Sequence, residues 1–113
     1  MRMLRCGHGS NIELFEYESP DKKYEQPRNT DIGGHHIAFY IDDIHAAVAH
    51  LKKHNIQICG EPKLMQNNAE GGEWWCYFVS PRGMQFELVS YPNGKDYEKE
   101  YPDKLWNPRR PAD

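Results

Sequence analysis

Residues 33–43 read GGHHIAFYIDD, from Gly33 to Asp43, and predict a glycine turn, a short strand and the start of a helix. Because side chains alternate between the two faces of a strand, the two histidines of this strand point in opposite directions. The predicted apolar face comprises His35, Ile37, Phe39 and Ile41. The opposite face places the metal-capable imidazole of His36 beside Ala38 and the phenol of Tyr40. We therefore expect the function to depend on His36.

The segment after this strand has the pattern of one amphipathic helix. Asp42 or Asp43 can cap it, because a carboxylate there accepts hydrogen bonds from free backbone N–H groups and is favoured by the helix dipole. Asn55 is a suitable C-terminal stop. The apolar residues that recur at helical spacing are Ile44, Ala47, Val48 and Leu51. They predict a helix with one buried face.

Three further strands are predicted after the helix, at residues 56–59, 73–79 and 84–90. Glu61-Pro62 is expected to end the first of these strands or to mark a sheet edge. The sequence SPRG at residues 80–83 predicts a turn before the last strand. From residue 35 onward, the predicted order is strand, helix, strand, strand, strand.

Residues 3–17 predict two short strands around a turn, and a short repeat relates them to the end of the predicted sheet. The segment IELFEY at residues 12–17 resembles FELVSY at residues 86–91. In both segments a glutamate lies four residues after a turn glycine, which aligns Glu13 with Glu87 and Gly9 with Gly83. Because repeats dictate architecture, the match favours two related modules, with coincidence as the alternative.

The repeat implies that one module is incomplete. On this alignment the counterpart of His36 falls before Met1, so the first strand, helix and second strand of that module are expected to be absent. An incomplete module leaves an open sheet edge, which is a liability for uncontrolled pairing. A second copy of the chain could cover that edge, and we therefore expect a symmetric homodimer.

Length and composition limit the class of protein. A chain of 113 residues is sufficient for one domain with its own core, and no apolar run is long enough for a transmembrane helix. The net charge of −3 argues against nucleic acid as a partner. The N-terminus shows no secretory signal, and three cysteines without CxxC spacing favour free thiols in a reducing compartment. We expect a cytoplasmic protein that binds neither nucleic acid nor a membrane.

Three side chains could carry chemistry: Glu13, His36 and Glu87 each lie within a predicted strand. If they converged on one sheet face, they would form a nitrogen and oxygen site for Zn²⁺, Ni²⁺, Mn²⁺ or Fe²⁺. On spacing alone, two solvent-facing glutamates and a structural histidine are the more common outcome. Three neighbours are the candidates for a ligand pocket: Asn11, Tyr40 and Gln85.

Four segments, which together span about residues 31–91, resemble the second half of proteins of the glyoxalase / vicinal oxygen chelate superfamily. They are Gly34–Phe39, Asp42–Ile44, Ser80–Gly83 and Gln85–Val89. The segment Asn11–Tyr17 is similar to the closing strand of the first module of that family. The resemblance implies an α+β fold with a βαβββ module at about residues 35–91. It also implies a mixed sheet that forms an incomplete cup, completed by dimerisation.

This resemblance also implies a division of the chain. Residues 1–17 would be the remnant of module one, residues 18–34 a linker, residues 35–91 the complete module two and residues 92–113 a tail. The turn reads Ser-Pro-Arg-Gly instead of its usual acidic form in the family, a change that we interpret as structurally neutral.

The resemblance further implies that Glu13, His36 and Glu87 are metal ligands, with His36 chosen over His35 because it directly precedes Ile37-Ala38. It implies a divalent-metal-dependent lyase or isomerase that acts on a small carbonyl or thioester substrate. In such enzymes a metal-bound glutamate removes the proton next to a carbonyl and forms a chelated enediolate. Either Glu13 or Glu87 could act in this way. The fourth ligand of the family has no equivalent in this sequence.

Two alternatives remain within the same superfamily. One is a metal-free protein that binds or sequesters a small molecule, as the bleomycin-resistance proteins sequester a drug. The other is an inactive, truncated member. The metal content of the purified protein would distinguish an enzyme from a metal-free binding protein.

Several other residues have a simpler interpretation. His50 and His54 are at helical i, i+4 spacing but off the apolar stripe, and we expect them to be solvated. His8 could replace the missing ligand, although an exposed loop residue is expected. Cys59 and Cys76 are predicted to be buried thiols. The aromatic residues that could line a pocket are Trp74, Trp75 and Tyr77, with at least one tryptophan in the core or at a dimer interface.

Overall fold

The computed structural model describes residues 1–7 and 9–112 and divides the chain into two compact units. One unit combines Met1–Glu25 with Leu105–Asp113, and the other is Gln26–Lys104. The boundary at residues 25 and 26 falls inside the predicted linker, residues 18–34, which are all described and contain neither helix nor strand. His8, the possible replacement ligand, lies outside the described residues.

The smaller unit contains an antiparallel hairpin of two strands, β1 (Arg2–Arg5) and β2 (Asn11–Leu14). Met3 pairs with Glu13 across the hairpin, and the turn is closed by a 3.1 Å hydrogen bond from the backbone N–H of Cys6 to the carbonyl of Ser10. The prediction of two strands around a turn is confirmed, although β2 ends at Leu14 and not at residue 17. Three large apolar side chains of the hairpin are exposed, namely Met3, Leu4 and Leu14, and Ile12 is half-buried.

The larger unit contains one helix and four strands in the predicted order. They are β3 (Ile37–Tyr40), α1 (Ile44–Lys53), β4 (Gln57–Leu64), β5 (Trp74–Val79) and β6 (Gln85–Ser90). The strands form one mixed sheet in the order β3-β6-β5-β4, in which β3 and β6 are parallel and the other neighbours are antiparallel. The predicted α+β class and the mixed sheet are therefore confirmed.

Helix α1 begins and ends at the residues that its sequence indicates. The Asp43 carboxylate accepts a 3.0 Å hydrogen bond from the backbone N–H of Ala46, so Asp43 is the N-cap and Asp42 is not. Asn55 has a φ of 57°, the left-handed conformation that stops a helix. Both termini are thus defined by local chemistry that the sequence shows directly.

The apolar stripe of α1 packs on one face of the sheet and forms the core. The buried residues are Ile44, Val48, Cys76 and Leu88. The partly buried residues around them are Phe39, Ile41, Ala47, Leu51, Ile58, Trp74 and Phe78. The predicted helix stripe, the core position of one tryptophan and the buried thiol of Cys76 are confirmed.

The turn between β5 and β6 forms as predicted. The backbone N–H of Gly83 donates to the carbonyl of Ser80 over 2.8 Å, and Ser80 N–H donates to the Met84 carbonyl over 2.9 Å. Gly83 has a φ of 91°, a conformation in which a Cβ would be strained. This turn sets the antiparallel register of β5 and β6.

Strand β4 corrects two predictions. It does not end at Glu61-Pro62 but continues to Leu64, with an irregular register between Cys59 and Lys63. Proline is tolerated there because β4 is an edge strand, which was the other outcome considered for this dipeptide. Cys59 is exposed and not buried, since it lies on this edge beside the irregularity.

His35 also differs from its predicted position on the core face. Strand β3 begins at Ile37, so the alternation of faces does not extend back to His35. Its side chain is exposed and its Nδ1 donates a 2.8 Å hydrogen bond to the Gly33 carbonyl. Phe39 and Ile41 do contact the core, whereas Ile37, at the start of the edge strand, is exposed.

Part of the predicted tail is fixed to the larger unit. Residues Asp96–Lys99 form a 3₁₀ helix, and the backbone N–H groups of Asp96 and Tyr97 donate to the carbonyls of Gly71 and Ala69 over 2.8 and 3.2 Å. The Lys95 ammonium forms an ion pair with the Glu73 carboxylate. The segment after the sheet is therefore held to the loop before β5.

In the described part of the chain, no helix has the length and apolar character that crossing a membrane requires.

Candidate functional site

The two faces of the sheet differ in composition. Leu88 of β6 and Cys76 of β5 pair across the strands on the face that α1 covers. By alternation, the opposite face receives Glu87 of β6 and its cross-strand partner Tyr77 of β5. The candidate site lies on this second face.

His36 and Glu87 are in direct contact on this face. The distance between His36 Nε2 and Glu87 Oε2 is 3.1 Å, and the side chains are 32% and 15% exposed. Parallel pairing of β3 with β6 places Ala38 opposite Glu87, so His36, two residues earlier, reaches along the sheet to the carboxylate. Two of the three predicted ligands are therefore brought together by the fold.

The environment of Glu87 raises the pKa of its carboxyl group. Burial raises the pKa of Glu87, and the hydrogen bond and charge of His36 offset only part of that effect. The nearby negative charges of Glu73 and Glu70 raise the pKa further. A carboxylate with a raised pKa binds a proton more readily near neutral pH, as a general base requires.

Aromatic side chains lie beside this pair. The ring of Tyr77 meets the His36 imidazole edge-on, with 5.3 Å between ring centroids. The ring of Trp75 packs against that of Tyr77, with 5.1 Å between their centroids. Burial, followed by the charge of Glu87, raises the pKa of Tyr77, so its phenol stays protonated. Trp75 and Tyr77, two of the aromatic residues proposed from the sequence, thus form an apolar wall next to His36.

Asn29 was missed by the sequence analysis. Its side-chain nitrogen Nδ2 is 3.5 Å from His36 Nδ1, on the side of the ring away from Glu87. Asn29 belongs to the segment interpreted as a linker, where polar residues and glycines gave no indication of a role. Residues 28–34 do contain residues that favour turns, namely Asn29, Asp31 and two glycines. This composition could have indicated that the segment folds into a turn.

A compact turn holds Asn29 in place. The Arg28 guanidinium contacts both oxygens of Asp31, and the Arg28 N–H donates to the same carboxylate over 2.9 Å. The N–H of Gly34 donates to the Asp31 carbonyl over 2.8 Å. A Cβ on Gly34 would lie 2.1 Å from the Arg28 carbonyl oxygen. Only glycine therefore allows the backbone at residue 34 to come this close to the backbone at residue 28.

The two contacts of His36 are compatible with either neutral tautomer of the ring. When the Asn29 amide donates to Nδ1, Nδ1 is an acceptor and the ring proton is on Nε2, from which it is donated to Glu87. Binding of a metal through Nε2 would require the proton on Nδ1 and the amide turned to present its oxygen. A rotation of the Asn29 amide can support either state.

The donor set of His36 and Glu87 fits a divalent metal. Two ligand atoms that are each about 2.1 Å from one metal ion, at angles between a right angle and a tetrahedral angle, are separated by about 3.0–3.4 Å. The observed 3.1 Å between Nε2 and Oε2 falls in that range, which is also that of an ordinary hydrogen bond such as the one this pair forms. Within the described residues, no group of three or more His, Cys, Asp or Glu side chains is arranged to hold a metal ion.

The other predicted site residues are distributed over both units. Glu13 and Asn11 lie in β2 of the smaller unit, where Asn11 pairs with Arg5, and Glu13 is exposed. Tyr40 and Gln85 belong to the larger unit and are half-buried. The Tyr40 hydroxyl donates to Asp42 over 3.1 Å and its ring contacts Tyr91. The roles of these residues as ligands or pocket residues stay predictions.

Comparison with protein families gives one match that covers most of the chain. The model of the Glyoxalase/Bleomycin resistance protein/Dioxygenase superfamily matches residues 4–88. The matched region includes the end of β1, all of β2, the helix and β3 to β5, and it ends at Leu88 in β6. No solved structure matches the chain.

Two curated proteins are similar in sequence. One is named 2-epi-5-epi-valiolone epimerase, from Actinomyces sp; it is 39% identical over 107 residues, which are 94% of this chain and 58% of that protein. The other is the uncharacterized protein YaeR of Escherichia coli strain K12, 34% identical over 77 residues, 68% of this chain and 55% of its own length. The chain thus spans little more than half the length of the curated relatives that it matches.

Proposed function

Because this chain belongs to the Glyoxalase/Bleomycin resistance protein/Dioxygenase superfamily, we propose that it contributes to an isomerase that moves a proton at a carbon next to a carbonyl. The observation that carries the proposal is the contact of 3.1 Å between His36 and Glu87 on the sheet face opposite the helix. The name of the Actinomyces relative, an epimerase, supports the reaction class, since epimerisation inverts one carbon centre.

Glu87 is the proposed base. A proton on a carbon next to a carbonyl is weakly acidic, so the base needs a higher proton affinity than an ordinary surface carboxylate has. Burial of Glu87 and the charges of Glu73 and Glu70 supply that increase. We choose Glu87 over Glu13 for this role because Glu13 is exposed. Return of a proton to the other side of the carbon would complete an epimerisation.

His36 orients the carboxylate and is a proposed metal ligand. A divalent metal held by His36 and Glu87 would polarise the substrate carbonyl as a Lewis acid. Asn29 contacts the imidazole from the opposite side of the ring, with 3.5 Å between its Nδ2 and His36 Nδ1. The aromatic wall of Tyr77 and Trp75 would exclude water from the carbon that loses its proton.

The proposal is tested by deuterium exchange into a small cyclic ketone. The untagged protein, supplied in turn with Mn²⁺, Ni²⁺ or Zn²⁺, is incubated with 2-epi-5-epi-valiolone in D₂O, and loss of the proton signal next to the carbonyl is followed by NMR. We expect exchange that depends on metal and stops when EDTA is added. His36→Gln should weaken metal binding by at least about tenfold, measured as metal content after dialysis.

Glu61→Gln is the matched control, because Glu61 is an exposed glutamate paired with Lys52. It should leave metal content and exchange unchanged. Absence of exchange with every metal would overturn the isomerase. If the ketone still bound without metal, the alternative of a metal-free small-molecule binding protein would replace it.

We also propose that the protein is a homodimer. A hairpin of two strands is marginally stable by itself, and β1 and β2 expose Met3, Leu4 and Leu14. Strands β3 and β4 form the two edges of the four-stranded sheet. Size exclusion with light scattering should give twice the 13.3 kDa of one chain. A stable monomer at micromolar concentration would contradict this expectation.

A further inference from the structure

His50 and His54 form a cluster of metal-ligating side chains that the proposed function does not use. Both are exposed and lie at the end of α1, off the stripe that packs on the sheet. Their i, i+4 spacing puts them on one side of the helix, one above the other. Their ring centroids are 4.5 Å apart, with 54° between the ring planes. Solvation alone, which the sequence favours, does not require this proximity.

The distance between the ring centroids is compatible with two imidazoles bound to one metal ion. A metal lies about 2.0–2.1 Å from the ligating nitrogen, and the ring centre is about 1.1 Å further away. Two imidazoles at a right angle around the metal therefore have centroids about 4.5 Å apart, and two at a tetrahedral angle about 5.2 Å apart. The observed 4.5 Å corresponds to the first arrangement.

The end of the helix adds a favourable field. The His54 N–H donates to the carbonyls of His50 and Leu51 over 3.3 and 3.0 Å, so His54 caps the last turn, which contains His50. The C-terminus of a helix carries partial negative charge, which attracts cations. Lys52 and Lys53 in the same turn oppose this effect, but the Lys52 ammonium is paired with Glu61 at 3.0 Å. One of the two opposing charges is thus partly compensated.

We propose that His50 and His54 form an exposed two-histidine site for a divalent cation of the copper, nickel and zinc type. The site provides two nitrogen ligands, and water or another molecule fills the remaining positions. Imidazole nitrogen suits these metals, and Cu²⁺ should bind most tightly. The site shares no residue with the His36–Glu87 pair, so it does not depend on the proposed reaction.

The test uses the full, untagged chain with the first pair removed by His36→Gln. Titration with Cu²⁺ is followed by calorimetry and by electron paramagnetic resonance. We expect one Cu²⁺ per chain, with a spectrum that shows coupling to two imidazole nitrogens. Adding His50→Gln or His54→Gln to this background should weaken binding by at least about tenfold. Ni²⁺ and Zn²⁺ should bind at the same residues more weakly.

His45→Gln is the matched control, because His45 is exposed on the same helix but contacts Trp74 instead of another histidine. It should leave Cu²⁺ affinity unchanged, and circular dichroism establishes that each variant is folded. A melting temperature that rises with Cu²⁺ in the His36→Gln protein but not after His50→Gln would support the site. Copper binding that survives His50→Gln and His54→Gln together would overturn it. Failure of the His36→Gln protein to bind one equivalent of Cu²⁺ would also overturn the proposed site.

Discussion

The Glu87→Gln variant should exchange deuterium at least about a hundredfold more slowly than the parent in the presence of metal. The reason is that an amide cannot accept the proton that the carboxylate removes. Its shape is nearly that of glutamate, so the sheet and the contact with His36 should be retained. The measurement is the exchange rate at saturating ketone and metal. Exchange within threefold of the parent rate would show that Glu87 is not the base and would direct attention to Glu13.

The same variant should change how the free energy of unfolding of the metal-free protein depends on pH. Burial raises the pKa of Glu87 above its usual value of 4.5, so the folded protein holds that proton to a higher pH than the unfolded chain does. The stabilisation from this proton is fully present below pH 4.5 and is lost as the pH rises through the raised pKa. Glu87→Gln should therefore gain stability relative to the parent on going from pH 4 to pH 8. Urea unfolding in EDTA at both pH values measures it.

Much of the larger unit could be predicted because its signals are local. The apolar stripe from Ile44 to Leu51, the Asp43 cap and the turn before Met84 each follow from a few neighbouring residues. The alternation of β6 predicted that Glu87 would lie on the face opposite Leu88. The proposal that His36 and Glu87 are metal ligands rests on the resemblance to the family and not on these local signals.

The remaining features depend on contacts that alternation and spacing do not encode. His35 was assigned to the core because the strand was extended back by two residues, and the start of β3 depends on its pairing with β6. Cys59 was assigned to the interior although the register of β4 breaks beside it. Asn29 approaches His36 only because a turn folds back on itself. Each of these outcomes is set by tertiary structure.

The turn that holds Asn29 offers the sharpest link between fold and site. Gly34→Ala should destabilise the protein by about 1–3 kcal/mol, because the new methyl group would lie 2.1 Å from the Arg28 carbonyl oxygen and 2.8 Å from the Asn29 carbonyl carbon. Backbone atoms cannot rotate away as a side chain can, so the turn must open. Asn29 would then withdraw from His36. Urea unfolding at pH 7 measures the first effect, and ¹⁵N NMR of the His36 ring measures the second as a changed tautomer ratio.

Gly9→Ala is the matched control for this substitution. Gly9, like Gly34, lacks a left-handed φ, and a Cβ there would meet its nearest atom at 3.5 Å, an ordinary contact. Its free energy of unfolding should change by less than about 0.5 kcal/mol, with the His36 tautomer unaffected. If Gly34→Ala were as stable as Gly9→Ala and its His36 signals were those of the parent, the close approach of Gly34 to Arg28 would not hold the turn. Asn29 would then have no fixed place beside the imidazole, and the tautomer of His36 would be set by Glu87 alone.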